Sequence, residues 1–261
     1  MEISLKGRIA LVTGASKGIG LACARRFAQA GATVAGVARD AAALEAACAA
    51  MAADGLAMRA MPADLSDAAL AEGVVARVER ELGPIDVLLN SAGAARRFAP
   101  ADLGAAAFRQ GMDAKYFSTM HVLEPVVRAM AARGRGAVVN VIGQGGRVAS
   151  PMHIPGGAAN SALMLATVGY ARAYAAKGLR INGINPGLTL TSRVEEGLAV
   201  AARASGRSRE ETLAEELARI PMGRMADPDE IARVALFLAS DAASYVSGAI
   251  VPMDGCSASV I

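Results

Sequence analysis

The sequence predicts an α/β fold, a doubly wound parallel sheet of about seven strands flanked by helices on both faces. Apolar runs of strand length alternate with longer helical stretches along the whole chain, the order that builds a parallel sheet through crossover helices. The runs carry no polar alternation, as Ile9-Ala10-Leu11-Val12 shows, so both faces of such strands must be covered. The first run passes into the glycine pattern of TGASKGIG at residues 13–20 and then into a helix. Strand, glycine loop and helix in that order make a dinucleotide-binding arrangement.

The first strand, residues 9–12, is followed by a helix over 21–30 that ends at Gly31, a residue suited to the turn after a helix. A second strand is expected at 32–37, and Asp40 stands where it caps a helix running to about residue 53. A third strand at 56–61 leads to Ala63-Asp64-Leu65, after which Ser66 is the expected cap of a helix over 67–82. The fourth strand, 85–89, ends in Asn90-Ser91-Ala92-Gly93, a small polar cluster at the strand end where open α/β sheets bind ligands. One long helix is expected over 105–133, stopped by Gly134 and Gly136. Residues 137–142 form the fifth strand, 156–176 a helix and 179–184 the sixth strand, which ends at Asn185-Pro186-Gly187. The stretch 189–225 is polar, helical and interrupted by Gly206 and Pro221, an insertion of the kind that covers a site. A helix over 228–240 and a short strand at 249–251 complete the pattern. No linker or composition break divides the chain, so residues 1–261 are expected as one domain.

The glycine loop and the strand ends carry the chemistry. Gly14, Gly18 and Gly20 permit a tight turn and close backbone approach, and the amides that open the following helix point at an anion, so a pyrophosphate is the natural occupant. Arg39 ends the second strand, where an acid would hold the ribose 2′-hydroxyl of NAD and an arginine accommodates the 2′-phosphate of NADP. No acid precedes Asp40 there, and Lys17 adds a second positive charge. A charge-assisted hydrogen bond contributes about 1.5–3 kcal/mol, so the pair favours NADP(H), with NAD(H) as the alternative.

Composition excludes several classes of partner. With 54% hydrophobic and only 3% aromatic residues, the core is built from Ala, Val, Leu, Ile and Met. Against 24 acidic residues stand 27 basic ones, a balance without the footprint of a nucleic-acid binder. Cys23, Cys48 and Cys256 are far apart, and the two histidines, His121 and His153, add no metal-ligand spacing, so neither a metal nor a disulfide framework is expected. No apolar run is long enough to span a membrane, and the stretch leading to Gly14 contains charges and no cleavage signal; a cytoplasmic protein is expected.

Five motifs occur in order: TGASKGIG at 13–20, ADL at 63–65, NSAG at 90–93, NPG at 185–187 and YVSGAIVPMDG at 245–255. Together they resemble the short-chain dehydrogenase/reductase family over essentially the full length. The resemblance implies a Rossmann-type fold and an NADP(H)-dependent oxidoreductase acting on a small-molecule substrate, a carbonyl or an alcohol. It implies that Gly14, Ser16, Lys17, Gly18, Ile19 and Gly20 hold the pyrophosphate and adenosine phosphate, and that Asp64 and Leu65 flank the adenine. Asn90, Ala92 and Gly93 would lie beside the ribose and nicotinamide, and segment 186–191, with Pro186 and Gly187, against the carboxamide. A homodimer or homotetramer, with the helices near 105–133 and 156–176 paired across subunits, is implied as well.

The same resemblance calls for a catalytic Ser, a Tyr-x-x-x-Lys pair and a supporting Asn, and here the sequence departs. Counting back from Pro186 to the tyrosine position reaches Gly156; the lysine position is then Asn160, the serine position Gly143 and the supporting position Asp113. Tyr170 and Lys177 lie too near the helix end to substitute. Hydride delivery to a carbonyl leaves charge on oxygen, and a missing positioned acid costs about 10²–10⁴ in rate. His153 is the candidate replacement donor, with Ser150 and Asn160 as further candidates; the alternative for all three is an ordinary loop or helix-surface residue. Asp113 and Lys115 read as a helix-surface pair. Two functions fit: an oxidoreductase with a non-standard proton donor, or a non-catalytic NADP(H)-binding pseudoenzyme or oligomer subunit.

Overall fold

Strands β1 (Ile9–Thr13), β2 (Thr33–Ala38), β3 (Met58–Pro62), β4 (Val87–Asn90), β5 (Gly136–Val141), β6 (Leu179–Pro186) and β7 (Ile250–Met253) pair in parallel in the spatial order β3-β2-β1-β4-β5-β6-β7. This is a computed structural model describing residues 3–93 and 96–258; residues 1–2, part of the stretch read for a leader, lie outside the described residues. The winding reverses between β1 and β4, which opens a crevice at their C-terminal ends.

The helices are α1 (Gly18–Gln29), α2 (Ala41–Ala53), α3 (Ala68–Glu81), α4 (Ala105–Gly111), α5 (Ser118–Arg133), α6 (Ile154–Tyr174), α7 (Ser192–Ser205), α8 (Arg209–Ala218) and α9 (Pro228–Ala239). Successive residues of β1 face opposite layers. Ala10 and Val12 pack with Phe27, Leu44 and Ile231 on one side, and Leu11 packs with Val74, Val78, Val122 and Val126 on the other. Burial on both faces is why these strands show apolar runs without alternation. No helix of the described residues is long and apolar enough to cross a membrane.

Asp40 caps α2 as expected, its carboxylate accepting from Ala43 N at 3.0 Å. Ser66 does not cap α3. Its hydroxyl donates to Asp64 at 2.8 Å, and Asp67 takes the cap, accepting from Leu70 N at 3.0 Å. Two adjacent cap-forming residues compete there, and the one whose partner lies on the helix side wins.

The single helix expected over 105–133 is interrupted. Between α4 and α5 lies a π-helical turn, Met112–Phe117. The hydroxyls of Ser118 and Thr119 donate to the carbonyls of Ala114 and Lys115 at 2.9 and 3.0 Å, offering those carbonyls alternative partners within the widened turn. Lys115 is not half of a surface pair: Asp113 is exposed, whereas Lys115 is buried and its amine donates to Val141 O at 2.9 Å. Helix α6 starts at Ile154, two residues before the expected start, because Pro155 is tolerated in a first turn. The insertion forms α7 and α8, and its ends meet at a bridge between Thr189 and Ala226.

Candidate functional site

The crevice between β1 and β4 is built by close backbone approach. Gly14 has φ +71°, and a Cβ there would lie 2.8 Å from the Ser91 carbonyl; a Cβ on Gly20 would lie 2.1 Å from the Gly14 oxygen. The Thr13 hydroxyl accepts from the amides of Ser91 and Ala92, both at 3.1 Å, and so ties the glycine loop to the NSAG turn. Helix α1 starts at Gly18, its N-cap Lys17 makes no side-chain cap, and no acid stands in its first turn, so its first amides present an end suited to an anion. Ser16, Gly18 and Ile19 are half-buried along this cradle, and Lys17 is exposed.

At the C-terminal end of β2, Arg39 is exposed and lies near Asp64. Hydrogen bonds from Ser66, and secondarily the Arg39 charge, outweigh partial burial and hold the Asp64 carboxyl below its ordinary range. Leu65 is buried beside it. The arrangement fits a dinucleotide: a backbone cradle that side chains would fill, an uncapped helix start, and a cation at the end of β2.

The Asn90 side chain is buried, and its Oδ1 has no hydrogen-bond partner among the described residues. Its amide donates to Asn140 at 2.9 Å, and Asn140 donates to Thr167 at 2.9 Å, a buried chain joining β4, β5 and α6. Ala92 and Gly93 remain at the surface of the crevice, where Gly93, at φ +105°, lets the turn pass against Lys115; a Cβ there would lie 2.3 Å from Ala114 O and 3.1 Å from the Lys115 Cα. Pro186 is buried at the end of β6, and Gly187 N bonds Met253 O at 3.0 Å, so this turn is fixed to β7.

Gly143 and Asn160 are brought together: a Cβ on Gly143, at φ +136°, would lie 3.1 Å from Asn160 Nδ2. Gly156 is buried one helical turn before Asn160. His153 precedes α6 beside Gly145, half-buried, with Nδ1 buried and without a hydrogen-bond partner among the described residues. Burial, then the charges of Arg97, Arg193 and Lys115, push its pKa down to about 4, so it is neutral at pH 7. Ser150 is exposed, away from this cluster's interior, and its carbonyl accepts from His153 N at 2.9 Å.

Lys115 is the residue the sequence reading missed. It lies under Gly93 with its amine on Val141 O, and burial followed by the Arg193 charge pulls its pKa down to about 7. A signal existed: Lys115 shares the helical spacing of Thr119, Val122 and Val126, all on the buried face. Thr13, Arg97 and Arg193 were missed as well. Beside the cluster is a cavity of about 280 Å³ lined by Gln144, Arg147, Asn185, Pro252, Asp254 and Cys256, among others. Among the described residues no three His, Cys, Asp or Glu side chains gather as metal ligands would.

A family model described as enoyl-(acyl carrier protein) reductase matches residues 14–256, from the first glycine of the cradle past β7. The chain belongs to the short-chain dehydrogenase/reductase family. Its relatives in the family include D-threitol dehydrogenase of Mycolicibacterium smegmatis, 35% identical over 258 residues, covering 97% of this chain and 94% of that protein. Gluconate 5-dehydrogenase of Gluconobacter oxydans is 35% identical over 253 residues, covering 97% of this chain and 95% of that protein. Among solved short-chain dehydrogenase/reductase structures, L-sorbose reductase from Gluconobacter frateurii, complexed with NADPH and L-sorbose, matches with a TM-score of 0.92 at 26% identity, covering 100% of both chains.

Proposed function

We propose that this chain is an NADP(H)-dependent oxidoreductase acting on an alcohol or carbonyl of a small polyhydroxylated molecule. The observation that carries the reading is the intact cradle, with Gly14 against Ser91 and Ala92, Gly20 against Gly14, and Gly18 opening α1, and with Lys17 and Arg39 toward its adenosine end. The NADPH held by the related L-sorbose reductase supports the choice of cofactor, and the relatives' polyol and sugar-acid substrates support the substrate class. When bound, NADP(H) supplies or accepts the hydride.

The proton is assigned to Lys115. Gly143, Gly156 and Asn160 replace the family's Ser, Tyr and Lys in this reading, and none of them donates a proton at neutral pH. His153, kept neutral, is a hydrogen-bonding contact for substrate rather than its acid. Ser150 and Asn160 remain candidates for further polar contacts at the mouth and floor of the same cleft. Lys115 Nζ lies at the C-terminal edge of β5, and its pKa near 7 lets it give a proton to a developing alkoxide in reduction and take one from an alcohol in oxidation. The protein acts as a homodimer or homotetramer through α5 and α6; Leu165, 77% exposed on α6, and Phe117, 42% exposed before α5, suit such a face.

A second reading, a non-catalytic NADP(H)-binding subunit, is favoured by one feature: Gly143 and Gly156 leave two expected acid–base positions without side chains. Fluorescence titration with NADPH, followed by NADPH consumption over a panel of ketoses and oxo acids, separates the two. Wild type is expected to bind and turn over, and Lys115→Met to bind but lose about 10²-fold or more in kcat. Tight NADPH binding with no turnover on any substrate sinks the enzyme reading, and no binding of NADPH or NADH sinks both.

A further inference from the structure

The substrate side of the cleft gathers positive charge from three separate parts of the chain. Phe98 N bonds Met152 O at 3.1 Å, which brings the Arg97 segment alongside the His153 turn. Arg97 also lies against α7, where a Cβ on Gly197 would be 3.2 Å from its guanidinium carbon. Arg193, in the first turn of α7, donates to Gly93 O at 3.4 Å, so it overhangs the turn that covers Lys115. His153 sits among these groups, and Arg97, Arg193 and Lys115 all bear on it.

The acids nearby are largely engaged elsewhere. Glu216, which lines a crevice with Arg97, is paired to Arg219 at 2.9 Å. Glu195 is paired to Arg209 at 2.6 Å. Glu196 bears on Arg193, as does Arg97 with the opposite sign. Among the described residues no carboxylate forms an ion pair with Arg97. Arg97 and Arg193 are both exposed at the mouth of the cleft, where like charges still raise one another's free energy, and an anion placed between them relieves it.

We infer that the substrate carries an anionic group, seated between Arg97 and Arg193 beside His153, on a polyhydroxylated carbon chain. The inference rests on the oxidoreductase reading for the identity of the cleft and selects within it, favouring sugar acids or sugar phosphates over neutral polyols. Guanidinium forks suit both carboxylate and phosphate oxygens. The uncharged imidazole of His153 adds a hydrogen bond without a further charge. An anion there also offsets part of the arginine charge that, after burial, lowers the proton affinity of His153 and Lys115, so a bound substrate raises it for both.

The test is calorimetric binding to the NADP⁺-loaded protein, which needs no turnover. D-gluconate, D-glucitol 6-phosphate and neutral D-glucitol are compared, with the two anions telling carboxylate from phosphate. At least one anion is expected to bind about tenfold or more tightly than D-glucitol, and to weaken with added salt. Arg97→Gln and Arg193→Gln are each expected to remove most of that advantage, whereas Arg128→Gln, on the far helix α5, leaves it unchanged. D-glucitol binding as tightly as both anions overturns the inference, as does an anion preference that survives both cleft substitutions. Failure of the enzyme reading shows itself separately, as absent NADPH turnover with anion binding intact.

Discussion

Replacing Gly20 by alanine probes the cradle where it is tightest. The added Cβ would stand 2.1 Å from the Gly14 carbonyl oxygen, against about 3.3 Å for an ordinary carbon–oxygen contact. Neither side can yield as a flexible side chain would. Gly20 is in the first turn of α1, and Gly14 passes so close to Ser91 that even a Cβ on it would lie 2.8 Å from the Ser91 carbonyl, so the helix start and the loop must part. Overpacking of this kind costs about 1–3 kcal/mol. If that cost falls on the geometry that holds the pyrophosphate, NADPH affinity drops about 5- to 150-fold at about 1.4 kcal/mol per tenfold. Gly73→Ala is the control: it lies within α3, a Cβ there meets nothing within 4 Å, and alanine is expected to stabilise the helix by about 0.5–1 kcal/mol. NADPH fluorescence titration and thermal unfolding with and without cofactor read both variants. A Gly20→Ala protein that binds NADPH within about twofold of wild type refutes the placement of the phosphate in this loop.

The other expectations concern charge and proton transfer. Arg39→Gln removes a contact worth about 1.5–3 kcal/mol and is expected to weaken NADPH about tenfold or more while leaving NADH nearly unchanged in parallel titrations. Lys115 has a folded-state pKa of about 7 against an ordinary 10.5, so between those values the unfolded chain binds more protons and stability rises with pH. The burial penalty is therefore fully present below pH 7, and Lys115→Met is expected to stabilise most there, with the gain shrinking toward pH 10.5; denaturant unfolding against pH measures it, and a pH-independent gain contradicts it. Ketone reduction by wild type is expected to fall as pH rises through about 7, with that inflection absent in Lys115→Met. Gly156→Tyr with Asn160→Lys is expected to raise ketone reduction about tenfold or more, measured as NADPH consumption; Gly143→Ser is left out because its φ of +136° would add about 1–3 kcal/mol of strain.

Most of the fold was legible because a parallel sheet covered on both faces leaves a plain mark. Ala10, Leu11 and Val12 are all buried, one layer apart, and the chain shows an unbroken apolar run. The glycine loop was legible for a related reason: close backbone approach excludes side chains, and Gly14 and Gly20 record where. The π-helical turn was not, because one widened turn shifts the helical pattern by a single residue and Met112–Phe117 still reads as helix. Lys115 was hidden by its own charge, which suggests a surface until its spacing with Thr119 and Val122 is weighed against it. Arg97 and Arg193 were unreadable for a different reason. Each looks like a solvated cation in its own segment, and only the return of α7 over Gly93 brings Arg193 to the NSAG turn from 100 residues away.

The central claim is that this cleft moves a hydride between NADP(H) and a small hydroxylated substrate. Its most direct test is transfer of deuterium from C4-deuterated NADPH to a panel of ketoses and oxo acids, read by mass spectrometry of the products. Deuterium on the newly formed carbinol carbon of at least one product is the expected result; bound NADPH with no labelled alcohol from any substrate would contradict it.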